Sequence, residues 1–196
     1  MERTGPLIDG LTLPPLGSVG TVTFVLAFED AIASTLAAAA GLLSDDERAR
    51  RDRFVFDRHR HRFAATRAML KIILGHYVGV MPTELRFVYG RHGKPSLDRC
   101  VNLSFNVSHC DGCAAITVSK AVQVGVDVEA ISEARNHVAS LAHTYFGRQE
   151  AHELEQLDGA VRQRRFIELW TLKEAYLKAL GCGLSRDLDE ICFSFR

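Results

Sequence analysis

The sequence of 196 residues lacks an excess of either charge, a long apolar run and a regular set of cysteines. Lysine plus arginine and aspartate plus glutamate both number 24, which argues against a general nucleic-acid or membrane-surface binder. The longest apolar stretch, residues 31–43, is interrupted by Ser34, Thr35 and Gly41 and is too short to span a bilayer. With 47% hydrophobic residues, the chain can bury a core in one domain or two small ones.

The five cysteines are an odd number, and no charged-then-apolar signal segment precedes them. We therefore expect free thiols and a cytoplasmic location, since disulfides are rare in reducing compartments. Cys110 and Cys113 form a lone C-x-x-C, which could be half a zinc site or a redox pair. No second pair follows at zinc-finger spacing, so a structural role is the favoured interpretation.

Positive charge is concentrated in one segment instead. Nine arginine and lysine residues lie between Arg48 and Lys71, against only Asp52 and Asp57. A block of like charges repels itself unless something neutralises it, so an anion-binding site and a solvated helix face both remain open.

Element patterns predict an α+β fold. Residues 1–20 contain three prolines and several glycines, which predicts an irregular extension before an N-terminal half at 21–120 and a C-terminal half at 121–196. The order strand, helices, long helix, strand occurs twice, so we expect two similar halves with the site at their interface. The predicted strands are 22–28, 85–89, 102–106, 114–118, 122–129 and 191–195, and the predicted helices are 30–40, one after a capping box at 44–47, 58–77, 136–142, 148–157 and 161–180.

Asp127 and Glu129 are the first candidate site residues. Valines at 122, 124, 126 and 128 alternate with polar residues, as in a half-buried strand, so both carboxylates point to one face. Their Cβ atoms are expected roughly 6 to 7 Å apart. Two carboxylates this close repel unless they are solvated or share a cation, and carboxylate oxygens are typical Mg²⁺ ligands.

Trp170, Glu174 and Lys178 are spaced four apart and share one face of the long helix, which Gly181 is expected to end. Glu174 could supply a third carboxylate to the metal site. The alternative is an ordinary surface pair with Lys178, which would contribute only about 0.2 to 0.5 kcal/mol.

Four motifs occur in a specific order: residues 93–97 (GKPSL), 105–109 (FNVSH), 125–129 (GVDVE) and 166–184 (FIELWTLKEAYLKALGCGL). On these motifs the chain resembles the Sfp-type 4′-phosphopantetheinyl transferases. The resemblance covers residues 93–184 and continues more weakly back to about residue 22. Because relatives usually continue past the equivalent of Phe195, we expect a shortened second half.

The resemblance implies a Mg²⁺-dependent enzyme that transfers the 4′-phosphopantetheine of coenzyme A to a serine of an apo acyl or peptidyl carrier protein, releasing adenosine 3′,5′-bisphosphate. From the balanced charge we expect no nucleic-acid or membrane partner, and from the two-half architecture we expect a monomer. Two alternatives remain open: a non-catalytic module that binds coenzyme A or a carrier, and a Mg²⁺-dependent phosphotransferase or nuclease that grips polynucleotide with its basic helix.

The resemblance also suggests residue roles. Asp127, Glu129 and Glu174 would bind the metal, Glu174 would be the general base, and Lys178 would neutralise or protonate the leaving group. Residues expected to contact coenzyme A are Ser108 and His109 at a phosphate, and Gly93, Lys94 and Pro95 around the adenine, with Lys94 near a phosphate. Arg62, with Arg50 and Arg48 behind it, is expected at the 3′-phosphate. His109 also joins the catalytic set. Lys173 could bind phosphate, with a structural role as the alternative, and residues 130–146 are expected to dock the carrier.

Overall fold

A computed structural model describes residues 13–17, 20–28, 39, 41–98, 102–131, 138–183 and 186–195. The predicted extension at 1–20 and the predicted helix at 30–40 lie mostly outside these ranges, so they stay predictions. In the described part of the chain, no helix is both long enough and apolar enough to cross a bilayer.

Two antiparallel sheets form from residues 21–119. β1 (Thr21–Ala27), β5 (Cys113–Ser119) and β4 (Ser104–His109) make a three-stranded sheet in the order β1-β5-β4, and β2 (Phe87–Tyr89) pairs with β3 (Pro95–Leu97) as a separate hairpin. The strands predicted here are confirmed, although β4 begins two residues later than expected and extends to His109. β5 is the central strand, and it is therefore almost fully buried.

Five helices lie in the described residues: α1 (Asp45–Asp52), α2 (Asp57–Val78), α3 (Val138–Tyr145), α4 (Arg148–Glu155) and α5 (Gly159–Leu180). The predicted capping box is confirmed, because Ser44 and Glu47 exchange side-chain and backbone hydrogen bonds at the start of α1. Gly181 ends α5 as predicted, with a φ of 71° that favours glycine.

The main core lies where α2 packs on the three-stranded sheet, with Leu70, Ile73 and Leu74 of the helix buried against Phe105 and Ile116 of the strands. A second core joins α3, α4 and α5 around Phe146 and Phe166. The fold is therefore α+β, as predicted. The division into two similar halves stays a prediction.

The strands predicted at 122–129 and 191–195 are wrong. Neither range forms a hydrogen-bonded ladder, and the described part of 121–196 contains helices and extended segments only. In residues 122–129, alternate backbone N–H groups have side chains rather than a strand backbone as hydrogen-bond acceptors. The backbone N–H groups of Val124, Val126 and Val128 donate to side chains of β4 instead of its backbone, at 3.1 Å to Ser104 Oγ, 3.0 Å to Asn106 Oδ1 and 3.3 Å to Ser108 Oγ.

We call residues 123–130 the docked segment. Its other side presses against α5 at Gly125, where a Cβ atom would lie 1.8 Å from the carbonyl oxygen of Ala175 and 2.5 Å from the amide nitrogen of Ala179. Only glycine permits this approach of two backbones. The docked segment is thus fixed between β4 and α5.

We predict that Gly125→Ala lowers the free energy of unfolding by about 1 to 3 kcal/mol, because the new methyl group must displace helix backbone rather than a flexible side chain. Gly41→Ala is the matched control, since no contact within 4 Å of a Cβ built there is found among the described residues. Urea unfolding of both variants makes the comparison. Equal stability of Gly125→Ala and the unchanged protein would contradict the close contact.

Candidate active site

A cavity of about 360 Å³ opens between the docked segment, α5 and the end of β4. We call it the acidic cavity. Its lining brings together residues predicted from three distant parts of the sequence: Val107, Ser108, His109, Asp127, Val128, Glu129, Trp170, Glu174 and Lys178. Glu174 lies near Asp127 and Glu129 because the docked segment packs against α5. Gly125 contacts the helix turn that carries Ala175, the residue after Glu174.

Asp127 is the centre of the hydrogen bonding in this cavity. Its side chain is only 6% exposed, and Oδ1 accepts from the Ser108 hydroxyl at 2.7 Å and from the ammonium of Lys178. Lys178 also donates to Ser108 Oγ at 3.1 Å. Asp127 Oδ2 is buried and has no hydrogen-bond partner in the described part of the protein. A buried carboxylate oxygen without a donor is costly unless a positive group compensates it.

Glu174 lies in the negative field of the other two carboxylates. Burial raises the pKa of its carboxyl group; Lys178 lowers that pKa, and Asp127 and Glu129 raise it further. A raised pKa makes Glu174 a stronger proton acceptor than an exposed glutamate, because the proton-bound form is favoured by desolvation and by like charges.

The donor set fits Mg²⁺ in its chemistry: three carboxylates share one cavity, and one of their buried oxygens has no partner. As the side chains stand, no three carboxylate, histidine or cysteine groups of the described residues are gathered closely enough to hold a metal ion. The ammonium of Lys178 instead neutralises Asp127.

A second cavity, of about 430 Å³, shares Val107 and His109 with the first, and we call it the basic cavity. Its wall combines cationic and aromatic side chains of α1 and α2 with the tip of the β4–β5 hairpin. The lining residues are Arg50, Phe54, His59, Arg62, Phe63, Thr66, Arg67, Leu70, Pro95, Val107, His109, Cys110 and Asp111. Flat apolar faces beside several cations suit a phosphorylated aromatic ligand.

His109 stands where the two cavities meet. Burial lowers the pKa of its imidazole, and the positive charges of Lys178, Arg62, Arg50 and His59 lower it further. The ring therefore favours its neutral form in the absence of an anion. Bound phosphate would oppose these cations and favour the protonated ring.

Among the predicted coenzyme A contacts, the structure places Arg50, Arg62, Pro95 and His109 on the basic cavity and Ser108 on the acidic one. Arg62 is held at 2.7 Å from Asp111.

Arg48 is placed elsewhere. It donates to the carbonyl of Leu43 and pairs with Asp45 at the start of α1, where it lines a different cavity. Arg48 and Arg50 separate although they are close in sequence, because residues two apart in a helix point to different faces.

Lys94 and Gly93 support the site from outside both cavities. Lys94 Nζ donates to the carbonyls of Ala179 at 2.8 Å and Val124 at 3.3 Å, so it ties the end of α5 to the docked segment. Gly93 has a φ of 78° in the turn between β2 and β3, a value that favours glycine.

Lys173 is fully buried rather than at a cavity. Its ammonium lies 2.7 Å from Glu150 Oε2 and donates to the carbonyls of Leu188 and Ile191. Every donor is thereby directed to α4 and to residues 188–191, so the structural alternative describes its observed position.

Sequence reasoning missed several residues of the basic cavity. His59, Phe63, Thr66, Arg67 and Leu70 recur along α2 at helical spacing, and they line the cavity together. The spacing i, i+4, i+7, i+8, i+11 was available as a signal of one helix face. Arg67 was hidden in the basic stretch; it is nearly buried, with its Nε 3.4 Å from Glu47 and its Nη2 donating to the Tyr89 hydroxyl.

We predict that Lys178→Met raises the pKa of His109, because it removes a positive charge that opposes protonation of the ring. Burial remains, so the pKa of His109 should stay below its ordinary value. Titration of the His109 ring protons by NMR measures the change, and Lys120→Met is the matched control. An unchanged or lower pKa for His109 in Lys178→Met would contradict the assigned electrostatics.

Comparison with known families gives a consistent result for both parts of the chain. The model of the 4′-phosphopantetheinyl transferase superfamily matches residues 123–196, and that of the 4′-phosphopantetheinyl transferase N-terminal region matches residues 30–121.

Individual relatives agree with these matches. The chain is 42% identical to 4′-phosphopantetheinyl transferase HetI of Nostoc sp., over 81% of this chain and 67% of the relative. It is 31% identical to a phosphopantetheinyl transferase of Thraustochytrium sp. (78% and 57%) and 26% identical to 4′-phosphopantetheinyl transferase Sfp of Bacillus subtilis (79% and 66%). The chain thus spans about two thirds or less of the length of these relatives. With similarity of this extent in both of its parts, the chain belongs to the 4′-phosphopantetheinyl transferase superfamily.

Proposed function

We propose that the protein transfers the 4′-phosphopantetheine arm of coenzyme A to a serine of an apo acyl or peptidyl carrier protein, and releases adenosine 3′,5′-bisphosphate. One observation carries the proposal: a cavity lined by three carboxylates adjoins a cavity lined by arginines and aromatic rings, and His109 belongs to both. Coenzyme A carries a phosphorylated adenosine, which suits arginines and aromatic rings, next to a diphosphate, which can share a cation with carboxylates.

The basic cavity is the proposed site of the nucleotide. Phe54 and Phe63 offer apolar faces for the adenine, and Arg50 and Arg62 offer charge for the 3′-phosphate. Arg62 would exchange its ion pair with Asp111 for the ligand phosphate. His109, at the junction, would donate to the diphosphate once the phosphate charge favours its protonated form.

The acidic cavity is the proposed site of bond exchange. The carrier serine would lose its proton to Glu174, and its oxygen would attack the β-phosphorus of coenzyme A. The bond from that phosphorus to the bridging oxygen breaks, and the bisphosphate leaves. Lys178, already directed at Ser108 and Asp127, can neutralise or protonate the departing oxygen.

Asp127, Glu129 and Glu174 are the residues that would hold Mg²⁺, which when bound would neutralise diphosphate oxygens and the charge that develops on the leaving group. Ser108 orients Asp127 for this task, since its hydroxyl donates to Oδ1 while its oxygen accepts from Val128 and Lys178. These contacts keep the carboxylate fixed before any ligand arrives.

The carrier is proposed to approach along residues 130–146, which follow the docked segment directly. Within that range, the described residues Ile131 and Tyr145 are exposed and apolar. We propose a reducing cytoplasm as its location, in keeping with the free thiols of Cys110, Cys113 and Cys192. We also propose a monomer, because two halves in one chain would supply the interface at which the site lies.

The experiment is to incubate the protein with coenzyme A, Mg²⁺ and a panel of apo carriers, and to measure an added phosphopantetheine arm by intact-mass spectrometry. We expect Glu174→Gln to slow transfer by roughly a hundredfold or more, because general-base help is usually of that size. Glu168→Gln is the matched control on the same helix, where Glu168 pairs with Arg164 and Arg165 and lies outside the lining of the acidic cavity.

Turnover of Glu174→Gln within about threefold of the unchanged protein would exclude the base role. Binding of coenzyme A with no transfer to any carrier of the panel would favour the alternative of a non-catalytic binding module.

A further inference from the structure

The tip of the β4–β5 hairpin brings two thiols together. Cys110 and Cys113 face each other one step beyond the last ladder pair, His109 and Ala114, and the Cys110 N–H donates to the Cys113 carbonyl at 2.9 Å. Their sulfur atoms are 3.8 Å apart, and both thiols are free and partly exposed. We call this pair the hairpin dithiol.

The hairpin holds the two cysteines at a separation that a disulfide tolerates. Directly opposed residues of an antiparallel pair have Cα atoms about 4.5 to 5.5 Å apart, and disulfides accept about 4.4 to 6.8 Å. A disulfide bond is about 2.05 Å long, so the sulfurs must approach by roughly 1.8 Å. Side-chain rotation can supply this movement, because the backbone separation of the opposed residues already lies in the disulfide range.

One member of the hairpin dithiol, Cys110, is also part of the wall of the basic cavity. Cys110 and Asp111 line that cavity, and Asp111 pairs with Arg62. The other described cysteines are in different surroundings: Cys182 is next to the Leu177 carbonyl and Cys192 is next to the Asp189 carbonyl.

We propose that Cys110 and Cys113 form a redox-modification site, at which a small organic disulfide oxidises the two thiols to an intramolecular disulfide on the cavity wall. One cysteine, as its thiolate, attacks a sulfur of the small disulfide and releases one small thiol. The second cysteine then attacks the protein sulfur of the mixed disulfide and releases the other small thiol. The protein loses two electrons and two protons, and the small disulfide gains them. Formation of this disulfide is independent of the proposed transfer reaction; only the ligand-protection measurement below rests on the proposed nucleotide site.

Protonation controls the rate of this exchange. Burial raises the pKa of the Cys113 thiol, and the neighbouring Cys110 raises it further. Since the thiolate is the attacking form, oxidation of the pair should accelerate as the pH rises toward the thiol range.

The test uses the full chain, reduced and then treated with glutathione disulfide, with remaining thiols alkylated in acid. Trypsin should release residues 100–120 as one peptide, because Arg99 precedes it and Lys120 ends it. We expect this peptide to carry one alkylated cysteine, Cys100, and one internal disulfide. Cys110→Ser and Cys113→Ser should each abolish the disulfide, whereas Cys192→Ser should leave it intact.

Two results would overturn the proposal. One is alkylation of both Cys110 and Cys113 at a glutathione disulfide concentration that modifies the exposed Cys192. The other is persistence of an internal disulfide in Cys113→Ser, which would assign the bond to Cys100.

A second measurement tests the place of the pair on the cavity wall. Adenosine 3′,5′-bisphosphate, with its Kd first measured by calorimetry, should slow oxidation of the pair about tenfold at ten times that Kd, since the unbound, reactive fraction is 1/(1 + [L]/Kd). Modification of Cys192 should be unaffected. Oxidation at an unchanged rate in the saturated complex would contradict the placement of the dithiol beside the ligand.

Discussion

The site depends on the way in which the docked segment is held between a strand and a helix. On one side, alternate side chains of β4 accept hydrogen bonds from its backbone amides; on the other, Gly125 allows its backbone to touch the backbone of α5. A regular strand pair would satisfy the same amides, but it would use the backbone of β4. Here the Ser108 hydroxyl is the acceptor, and a hydroxyl that accepts a hydrogen bond can still donate one. Ser108 donates to Asp127. The same serine therefore anchors the segment and orients its first carboxylate.

Charge in this protein is balanced as a whole but separated locally. Arginines of α1 and α2 surround one cavity, carboxylates of the docked segment and α5 line the next, and His109 stands between them. Lys178 acts as an internal counterion: it neutralises Asp127 and lowers the pKa of Glu174, against burial and the neighbouring carboxylates. Such an arrangement can exchange internal pairs, Arg62 with Asp111 and Lys178 with Asp127, for pairs with an anionic ligand and a cation. The cost of assembling like charges is reduced before a ligand binds.

Sequence patterns predicted the elements well where local signals dominate. The capping box of α1, the glycine that ends α5 and the strands of the three-stranded sheet all follow from nearby residues. The alternating valines of 122–129 placed Asp127 and Glu129 on one face, and both line the same cavity. The predicted strand is wrong, because the pattern could not reveal that the hydrogen-bond partners of this segment are side chains. The roles of the arginines in the basic stretch were harder to predict, because residues of equal charge form different contacts in the folded protein. Arg62 lines a cavity and pairs with Asp111, which only the folded chain brings near, whereas Arg48 pairs with Asp45 on its own helix. Outside that stretch, Lys173 is buried against Glu150, a carboxylate that is also distant in sequence.

The central claim is that the carboxylates of the docked segment and of α5 form one cation site. Its most direct test is Mn²⁺ binding measured by electron paramagnetic resonance, with coenzyme A present, in Asp127→Asn, Glu129→Gln and Glu174→Gln. Loss of a charged ligand should weaken binding by about tenfold or more in each variant, while Glu168→Gln should bind as the unchanged protein does. Full-strength Mn²⁺ binding by Glu174→Gln would show that α5 does not share the site, and would contradict the account.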